Sequence, residues 1–268
     1  MNQKILFFFK YIYRKLIFFG FDPKKFLSSI NPKNRIWVNS DFKIFKKQKG
    51  QDKSFKLRNN WPVYTDKNDE GGTMKGHYFH QDLYAARLIF KNNPKKHLDI
   101  GSRTDGFVAH IACFREIEVA DIRNISSKVK NISFMKCDLM DLDSKMINYC
   151  DSISSLHAIE HFGLGRYGDP IDYWGFKKAI HNIHQILKIN GLFYFSVPIG
   201  PQKVEFNAHR IFSVKYLIKL LSELFEIKLF SYVDDIGDFH ENVEITKNNI
   251  DLNFSCNFGC GIFILQKT

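Results

Sequence analysis

The chain has 268 residues and a mass of 31.5 kDa, enough for one large domain or for one domain with an extension. Hydrophobic residues make up 44% of it and charged residues 25%, a composition that excludes global disorder. Its five cysteines contain no CxxC pair, so the sequence predicts reduced thiols in a cytoplasmic protein, with neither a disulfide framework nor a zinc site.

Positive charge is concentrated at the start of the chain. Residues 1–60 contain 15 Lys and Arg against 3 Asp and Glu, a net charge of +12, whereas the remainder has a net charge of −1. A surface for duplex nucleic acid needs basic residues spread over the folded body, so no nucleic-acid partner is expected. We predict a basic, aromatic N-terminal arm at residues 1–60 and a main domain at residues 61–268.

The beginning of the arm has the pattern of an amphipathic helix. Lys10 and Arg14 fall on one side, and apolar residues such as Phe8 and Ile12 fill the other. The longest uncharged run is far shorter than the roughly 20 residues that span a bilayer, and no signal-peptide cleavage pattern is present. Two interpretations stay open: residues 1–25 contact an anionic membrane surface, or the helix packs on the main domain or on a partner subunit.

The rest of the arm is less regular. Residues 37–44 are predicted as a short strand, residues 48–60 as a polar connector and residues 69–72 as a loop, so the domain boundary is expected near residues 60–75.

From His77 onward, helical and strand patterns alternate. Helical spacing covers residues 78–92, 173–187 and 214–224, and short apolar runs cover residues 97–101, 117–121, 132–135, 152–156, 192–197, 227–233 and 261–266. This alternation predicts an α/β fold with a mostly parallel sheet. Because residues 243–254 read as loop or strand, the last two strands are expected to form an antiparallel pair at the sheet edge.

The sharpest local signal is the run HLDIGSRTDGF at residues 97–107. An apolar strand ends at Asp99-Ile100-Gly101, a polar turn follows at Ser102, and a helix begins near Gly106. Glycine permits a tight turn with close approach of a ligand, and a helix N-terminus offers free N–H groups. A carboxylate at Asp99 would repel a pyrophosphate and therefore favours a ligand that carries positive charge.

Two further predicted strands end in acidic residues. Asp121 lies 22 residues after Asp99. An acidic side chain at about this spacing accepts hydrogen bonds from ribose hydroxyls. Asp138 could accept a hydrogen bond from an exocyclic adenine amine while Leu139 packs on the ring. A cationic adenosine ligand, S-adenosylmethionine (SAM), fits the three carboxylates.

In this order, the motifs resemble those of class I SAM-dependent methyltransferases from about residue 77 to the end. Residues 151–161 resemble the family's fourth-strand segment, which borders the methyl donor, and residues 187–193 resemble its turn into strand five. More narrowly, the phrases LDIGSR, LHAIEHFGLGRYGDP and FNAHRIFS resemble the methyltransferase-like domain-of-unknown-function family numbered 268. The resemblance implies a Rossmann-like seven-stranded sheet with an antiparallel edge strand and helices on both faces. The cofactor-binding residues that it implies are Asp99, Gly101, Ser102, Gly106, Asp121, Asp138, Leu139 and His157.

An acceptor is expected beside the loops after the fourth and fifth strands, because ligands bind beyond the carboxyl ends of such sheets. A hydroxyl acceptor needs alignment and a nearby base. The candidate catalytic residues are His161 and His209, with Glu160 as an orienting group, and the candidate acceptor-binding residues are Arg166, Tyr167 and Arg210. Each histidine could instead make only a structural hydrogen bond, and each arginine could be merely solvated.

No metal site is predicted near the first strand, because His77, His80 and Asp82 do not share one helix face. In the family's manner, Tyr78, Gln81 or His80 could instead cover the cofactor.

The function expected from the resemblance is SAM-dependent O-methylation of a small-molecule or glycan acceptor, with surface polysaccharide biosynthesis as its setting. The expected location is the cytoplasm, peripheral at the inner face of the membrane. Arg103 stands where the superfamily usually has a second glycine, so a non-catalytic binding module that has lost turnover is the alternative. A nicotinamide-dependent oxidoreductase is disfavoured by Asp99 and by the missing GxGxxG motif.

Overall fold

The computed structural model describes residues 12–13, 15–17, 19–58 and 61–268, which separate into two compact units, one ending at Thr73 and one running from Met74 to Thr268. In the first unit, helices α1 (Pro23–Ile30) and α2 (Pro32–Lys49) are followed by a 3-10 turn at Asp66–Asn68. Each helix begins with a side-chain cap and a proline at its first position, which is a strong start signal. The strand predicted for residues 37–44 is wrong, because these residues continue α2.

Little of the predicted amphipathic helix at the start of the chain is described. Residues 12–13 and 15–17 are helical, and the other residues up to 18 lie outside the described part. Among the helices that the structure describes, none has the length and apolar character needed to cross a bilayer.

The second unit contains most of the regular structure. Its elements are α3 (His77–Asn92), β1 (His97–Ile100), a π-helical turn at Thr104–Val108 that continues into α4 (Ala109–Ala112), β2 (Ile117–Asp121), β3 (Ile132–Lys136), β4 (Cys150–Leu156), α5 (Gly175–Ile186), β5 (Leu187–Ile199), β6 (Lys203–Glu205), β7 (His209–Ile211), α6 (Val214–Ser222), β8 (Phe225–Val233), β9 (Phe239–His240), α7 (Lys247–Asp251) and β10 (Gly259–Lys267). Residues 243–254, predicted as loop or strand, contain α7 and part of a 3-10 turn at Asn253–Ser255.

The main sheet has the strand order β3-β2-β1-β4-β5-β10-β8-β9. Strands β3, β2, β1, β4 and β5 pair in parallel, whereas β10 is antiparallel to both β5 and β8. The predicted Rossmann-like, mostly parallel α/β fold is confirmed, with eight strands rather than seven. The predicted antiparallel pair is present, but β10 inserts beside β5 and the short strand β9 forms the edge.

Helices cover both faces of this sheet. On one face, Tyr84 and Ile89 of α3 pack with Phe107 against the strands. On the other face, Ile180 of α5 and Leu217 of α6 join a second buried cluster. Apolar burial on both faces explains why the central strands read as nearly continuous hydrophobic runs.

The topology fixes where a ligand site can form. Strand β1 lies between β2 and β4, so the chain order reverses at this point of the sheet. In open α/β sheets, ligands bind beyond the carboxyl ends of the strands at such a reversal. The loops after β1 and β4 therefore border the expected site.

Candidate functional site

Two adjoining cavities lie at the carboxyl ends of the strands. The first is lined by residues that follow β1 to β4, including Gly101, Asp121, Asp138 and Leu139. The second contains side chains from α3, the β1 turn and the later loops, including His77, Tyr78, Arg103, Glu160, His209 and Phe258. The cavities share Gly101, Asp121, Arg123, His157, His161 and Tyr167, and together they form one continuous cleft.

Asp99 does not face this cleft, which corrects its predicted contact with a cationic ligand. The side chain is fully buried, and its oxygens accept hydrogen bonds from Ser102 N (3.0 Å), Ser102 Oγ (2.6 Å) and Ser154 Oγ (2.6 Å). Burial raises the pKa of Asp99 to about 6, although these hydrogen bonds oppose the rise. Asp99 therefore holds the turn after β1 in shape.

The two glycines of the β1 turn have different surroundings. Gly101 has φ +66° and lines both cavities, so a side chain there would strain the backbone at the cleft wall. Gly106 lies against α3 instead, where an added Cβ would meet Asp82. The predicted cofactor contact of Gly106 is thus replaced by close packing, while Ser102 lines the second cavity and accepts a hydrogen bond from Leu156 N (3.0 Å).

Asp121 is already engaged by a cation. Arg123 Nε lies 3.0 Å from Asp121 Oδ1 and Arg123 Nη2 lies 2.7 Å from Oδ2, a bidentate pair. The guanidinium also lies 4.2 Å from the centroid of the Tyr167 ring. A ribose hydroxyl that approached Asp121 would have to compete with Arg123.

Asp138 and Leu139 lie at the wall of the first cavity. The Asp138 Oδ1 atom accepts a hydrogen bond from Met140 N at 2.9 Å, which fixes the loop after β3. The half-buried Asp138 carboxylate and the buried Leu139 side chain offer an acceptor next to an apolar surface.

A buried ion pair follows β4. His157 has φ +53°, a strained conformation for a residue with a side chain, and its Nδ1 atom lies 2.7 Å from Glu160 Oε1. Burial alone would raise the pKa of Glu160, but the interaction with His157 outweighs it and holds that pKa below its ordinary value. Burial opposes charge on His157, yet Cys260 and Glu160 raise the pKa of His157 well above its ordinary value.

The second Glu160 oxygen has a different environment. Oε2 is buried and has no hydrogen-bond partner within the described part of the chain. Glu160 itself is 1% exposed and lines the second cavity. Because a buried carboxylate oxygen without a donor is costly, Oε2 makes the Glu160 carboxylate an unfavourable group to bury beside the cavity.

His161 lines both cavities and has one nitrogen available for chemistry. Its Nδ1 lies 2.7 Å from the carbonyl oxygen of Ala208, so a neutral ring carries its proton there and leaves the lone pair on Nε2. Nε2 lies 3.8 Å from Glu160 Oε1. Burial lowers the pKa of His161, although Glu160 opposes this, so the ring is neutral near pH 7 and suited to act as a base.

His209 also reaches the second cavity. Its Nε2 atom is buried, lies 3.6 Å from Glu205 Oε2 and has no hydrogen-bond partner among the residues described. Burial lowers the pKa of His209. The structure therefore brings both predicted histidines and Glu160 to one cleft.

The predicted acceptor-binding residues divide into two groups. Arg166 and Tyr167 line the second cavity, and Arg166 Nη1 donates to the Ala208 carbonyl at 2.9 Å. Arg210 is only 4% exposed, and its guanidinium donates to the carbonyls of Glu160, Phe162 and Tyr173. The prediction for Arg210 is corrected, because these contacts make it a tie between the loops.

Arg103 leaves the turn open. Its guanidinium pairs with Asp105 at 2.8 Å and lies 4.7 Å from the centroid of the Tyr78 ring. Both Arg103 and Gly101 line the second cavity, so the arginine borders the cleft without sealing it.

Sequence reasoning missed three residues of the cleft. Arg123 follows the second strand by two positions, and its charge beside Asp121 was a readable signal of a local pair. His77 and Phe258 come from distant segments, and their rings lie 5.5 Å apart at the second cavity. No local pattern in the sequence joins those two segments.

Solved structures share this fold. The chain is similar to 1,6-didemethyltoxoflavin-N1-methyltransferase from Burkholderia thailandensis, solved with 1,6-didemethyltoxoflavin and S-adenosylhomocysteine, at 16% identity and a TM-score of 0.51 over 70% of this chain and 78% of that chain. It is also similar to a SAM-dependent methyltransferase from Clostridium acetobutylicum, at 14% identity and a TM-score of 0.48 over 71% and 92% of the two chains. The N-methyltransferase NodS from Bradyrhizobium japonicum WM9, solved with S-adenosylhomocysteine, has 12% identity and a TM-score of 0.47 over 78% and 93%.

The first of these similarities, with its TM-score of 0.51, shows that this chain has a methyltransferase fold. No curated protein sequence matches this chain. The family model described as "Caenorhabditis protein of unknown function, DUF268" matches residues 109–267, more than half of the sequence. The chain therefore belongs to the DUF268 family, as its sequence motifs predict.

Proposed function

We propose that this protein is a SAM-dependent methyltransferase that acts on an oxygen of a polar acceptor. The observation that carries the proposal is the continuous cleft at the carboxyl ends of β1 to β4. Asp121, Asp138 and Leu139 line its first part, and Glu160 and His161 meet in its second part. This arrangement supplies acceptors for a nucleoside beside a base for an acceptor molecule.

The residues of the cleft fit a cationic adenosine ligand. When bound, SAM supplies an electrophilic methyl group on a positively charged sulfur. Asp138 and Leu139 would hold the base, and Asp121 would hold the ribose once Arg123 moves aside. The Glu160 carboxylate, which lines the second cavity, supports a ligand that carries a cation or a hydrogen-bond donor there.

His161 is the proposed base. A neutral ring with its proton on Nδ1 presents Nε2 to an acceptor hydroxyl and can take that proton as the methyl group is transferred. Glu160 stabilises the protonated ring, because its carboxylate lies 3.8 Å from His161 Nε2. Arg166 and Tyr167 would contact a polar acceptor from the loop after β4.

The pairing of Asp121 with Arg123 favours a second candidate function. If Arg123 stays in place, the ribose acceptor remains blocked, and the protein is a binding module that has kept the fold and lost turnover. The cleft would then take a ligand that does not need Asp121.

For the acceptor we propose a carbohydrate of surface polysaccharide biosynthesis, reached from the cytoplasmic side of the membrane. The net charge of +12 on residues 1–60 supports contact with anionic lipid. In α1, Phe26, Leu27 and Ile30 are exposed and follow Lys24 and Lys25. Deletion of residues 1–25 should reduce sedimentation with anionic liposomes, and unchanged sedimentation would remove the membrane part of the proposal.

Transfer of label tests the enzymatic proposal. The full chain is incubated with methyl-labelled SAM and a carbohydrate-containing cell extract, beside a His161→Ala variant and a control without protein. The proposal predicts a labelled polar product with the wild type and almost none with the variant. Adenosyl binding without any label transfer would establish the binding module instead.

A further inference from the structure

Three potential metal ligands from distant segments meet below the second cavity. His77 begins α3, His157 follows β4, and Cys260 lies on β10. Their donor atoms all lie within 4.8 Å of one another. His77 Nδ1 and His157 Nε2 are 3.1 Å apart, and their rings are stacked with an interplanar angle of 3°.

These distances suit a single small transition metal. Zinc binds histidine nitrogen at about 2.0–2.1 Å and cysteine sulfur at about 2.3 Å, which places two nitrogens and one sulfur about 3.3–3.6 Å apart in a tetrahedral site. The two imidazole nitrogens would need to separate by only a few tenths of an ångström from their 3.1 Å spacing. Two imidazoles and a thiolate form a donor set that selects zinc-like metals over calcium or magnesium.

The surroundings of the cluster resemble the support that metal-binding histidines need. His157 donates its other ring nitrogen, Nδ1, to Glu160 Oε1 at 2.7 Å, which aims Nε2 at the cluster. The Phe258 ring packs beside the His77 ring, with the two centroids 5.5 Å apart. Cys260 is fully buried, and its sulfur lies 3.5 Å from Gln81 Oε1. The three donors are thus held in place without a ligand.

We propose that His77, His157 and Cys260 bind one divalent transition metal of the zinc class, with the fourth coordination position open to the second cavity. The open position follows from the placement of His77 and His157, which both line that cavity. A metal at this position would bind an anionic oxygen or sulfur of a molecule in the cleft. Binding requires loss of the proton that the two histidines share and of the Cys260 thiol proton.

Cobalt titration tests the site in the full chain. Co²⁺ is added to metal-free, reduced protein while absorbance is followed for the thiolate-to-cobalt charge-transfer band, and Zn²⁺ is then added in competition. The proposal predicts saturation at about one equivalent and loss of the band on addition of zinc. Because no SAM or acceptor is present, this outcome is independent of whether methyl transfer occurs.

Matched variants assign the ligands. Cys260→Ser should abolish the thiolate band, and His77→Asn should weaken binding about 100-fold, whereas Glu160→Gln should weaken it about 10- to 100-fold. Cys256→Ser is the control, because Cys256 is also buried but lies outside the cluster. Circular dichroism establishes that each variant is folded.

The result that overturns the proposal is equally specific. A wild type that shows no thiolate band, or a folded Cys260→Ser variant that keeps it, would show that the cluster holds only a proton between His77 and His157. Loss of the band in Cys256→Ser with retention in Cys260→Ser would also contradict the assignment.

Discussion

The end of β1 and the turn after β4 each bury a carboxylate, Asp99 and Glu160, but the two groups have different surroundings. Asp99 accepts three hydrogen bonds within the protein and lines neither cavity of the cleft. Glu160 uses one oxygen for His157, while its other oxygen is buried without a partner inside the described part of the molecule. Glu160 also lines the second cavity. The difference separates a carboxylate that maintains the scaffold from one that we propose to act in the cleft.

Burial alone does not make this distinction, since the two side chains are 0% and 1% exposed. What differs is hydrogen bonding. A buried acceptor that is fully paired stabilises the fold, whereas a buried acceptor without a donor costs free energy unless a ligand supplies one. The comparison therefore predicts that Asp99 variants lose stability and that Glu160 variants lose activity.

The largest expected effect is that of Glu160→Gln on turnover. An amide cannot stabilise a protonated His161, so kcat for methyl transfer should fall about 100- to 10,000-fold while the protein stays folded. The rate is measured with labelled SAM at saturation. Glu116→Gln serves as the control, because Glu116 is exposed and precedes β2, at the amino ends of the parallel strands and away from the cleft. A Glu160→Gln rate within threefold of the wild type would contradict the catalytic role.

Asp99→Ala should instead destabilise the fold. It leaves Ser102 N, Ser102 Oγ and Ser154 Oγ without their acceptor, at about 1–3 kcal/mol for each buried donor, so a total of about 3–9 kcal/mol is expected. Urea unfolding measures the loss. Asp105→Ala, an exposed position in the same turn, should leave the midpoint nearly unchanged. If Asp99→Ala and Asp105→Ala unfold at the same urea concentration, Asp99 does not stabilise the fold as proposed.

The pH dependence of stability should also report on Asp99. Its pKa is raised from 3.8 to about 6 in the folded state, so the stabilisation is present below pH 4 and is lost as the pH rises through 6. The shift corresponds to about 3 kcal/mol, with Asp82 as the neighbouring acid. Asp99→Asn should remove this loss. The free energy of unfolding is measured from pH 4 to 7 for the wild type and for the variant. If the two profiles are parallel, Asp99 is not the source of the pH dependence.

A smaller effect is expected at Asp121. Arg123→Ala frees its carboxylate, so S-adenosylhomocysteine should bind up to about fivefold more tightly, the range of a partly exposed ion pair. Arg123→Lys should have an intermediate effect, since an ammonium cannot form the bidentate pair. Calorimetry provides both dissociation constants. Weaker binding by Arg123→Ala would mean that Arg123 itself contacts the ligand.

Sequence patterns predict elements well where neighbouring residues decide the structure. Strands such as Ile117–Asp121 and the helix at Val214–Ser222 follow from apolar spacing and from the Ser213 cap. Helix α2 was missed at residues 37–44, because polar residues dominate it and because the signal for its start lies upstream, at the Asn31 cap and Pro32.

The site was less predictable, because its contacts join distant segments. The motif places Asp99 at the right turn, but only the fold shows that Ser154, from another strand, occupies its carboxylate. Arg210 likewise becomes a loop tie only when three carbonyls converge on it. The meeting of His77, His157 and Cys260 depends on the position of β10 in the sheet.

Calorimetric titration of the full chain with S-adenosylhomocysteine, with NAD as the comparison ligand, tests most directly whether the cleft binds an adenosyl compound. We expect micromolar binding of S-adenosylhomocysteine and no heat with NAD. We further expect about tenfold weaker binding by Asp138→Asn and unchanged binding by Asp141→Asn, whose exposed side chain lies outside the cleft. No binding of S-adenosylhomocysteine by the folded wild-type chain would contradict this expectation.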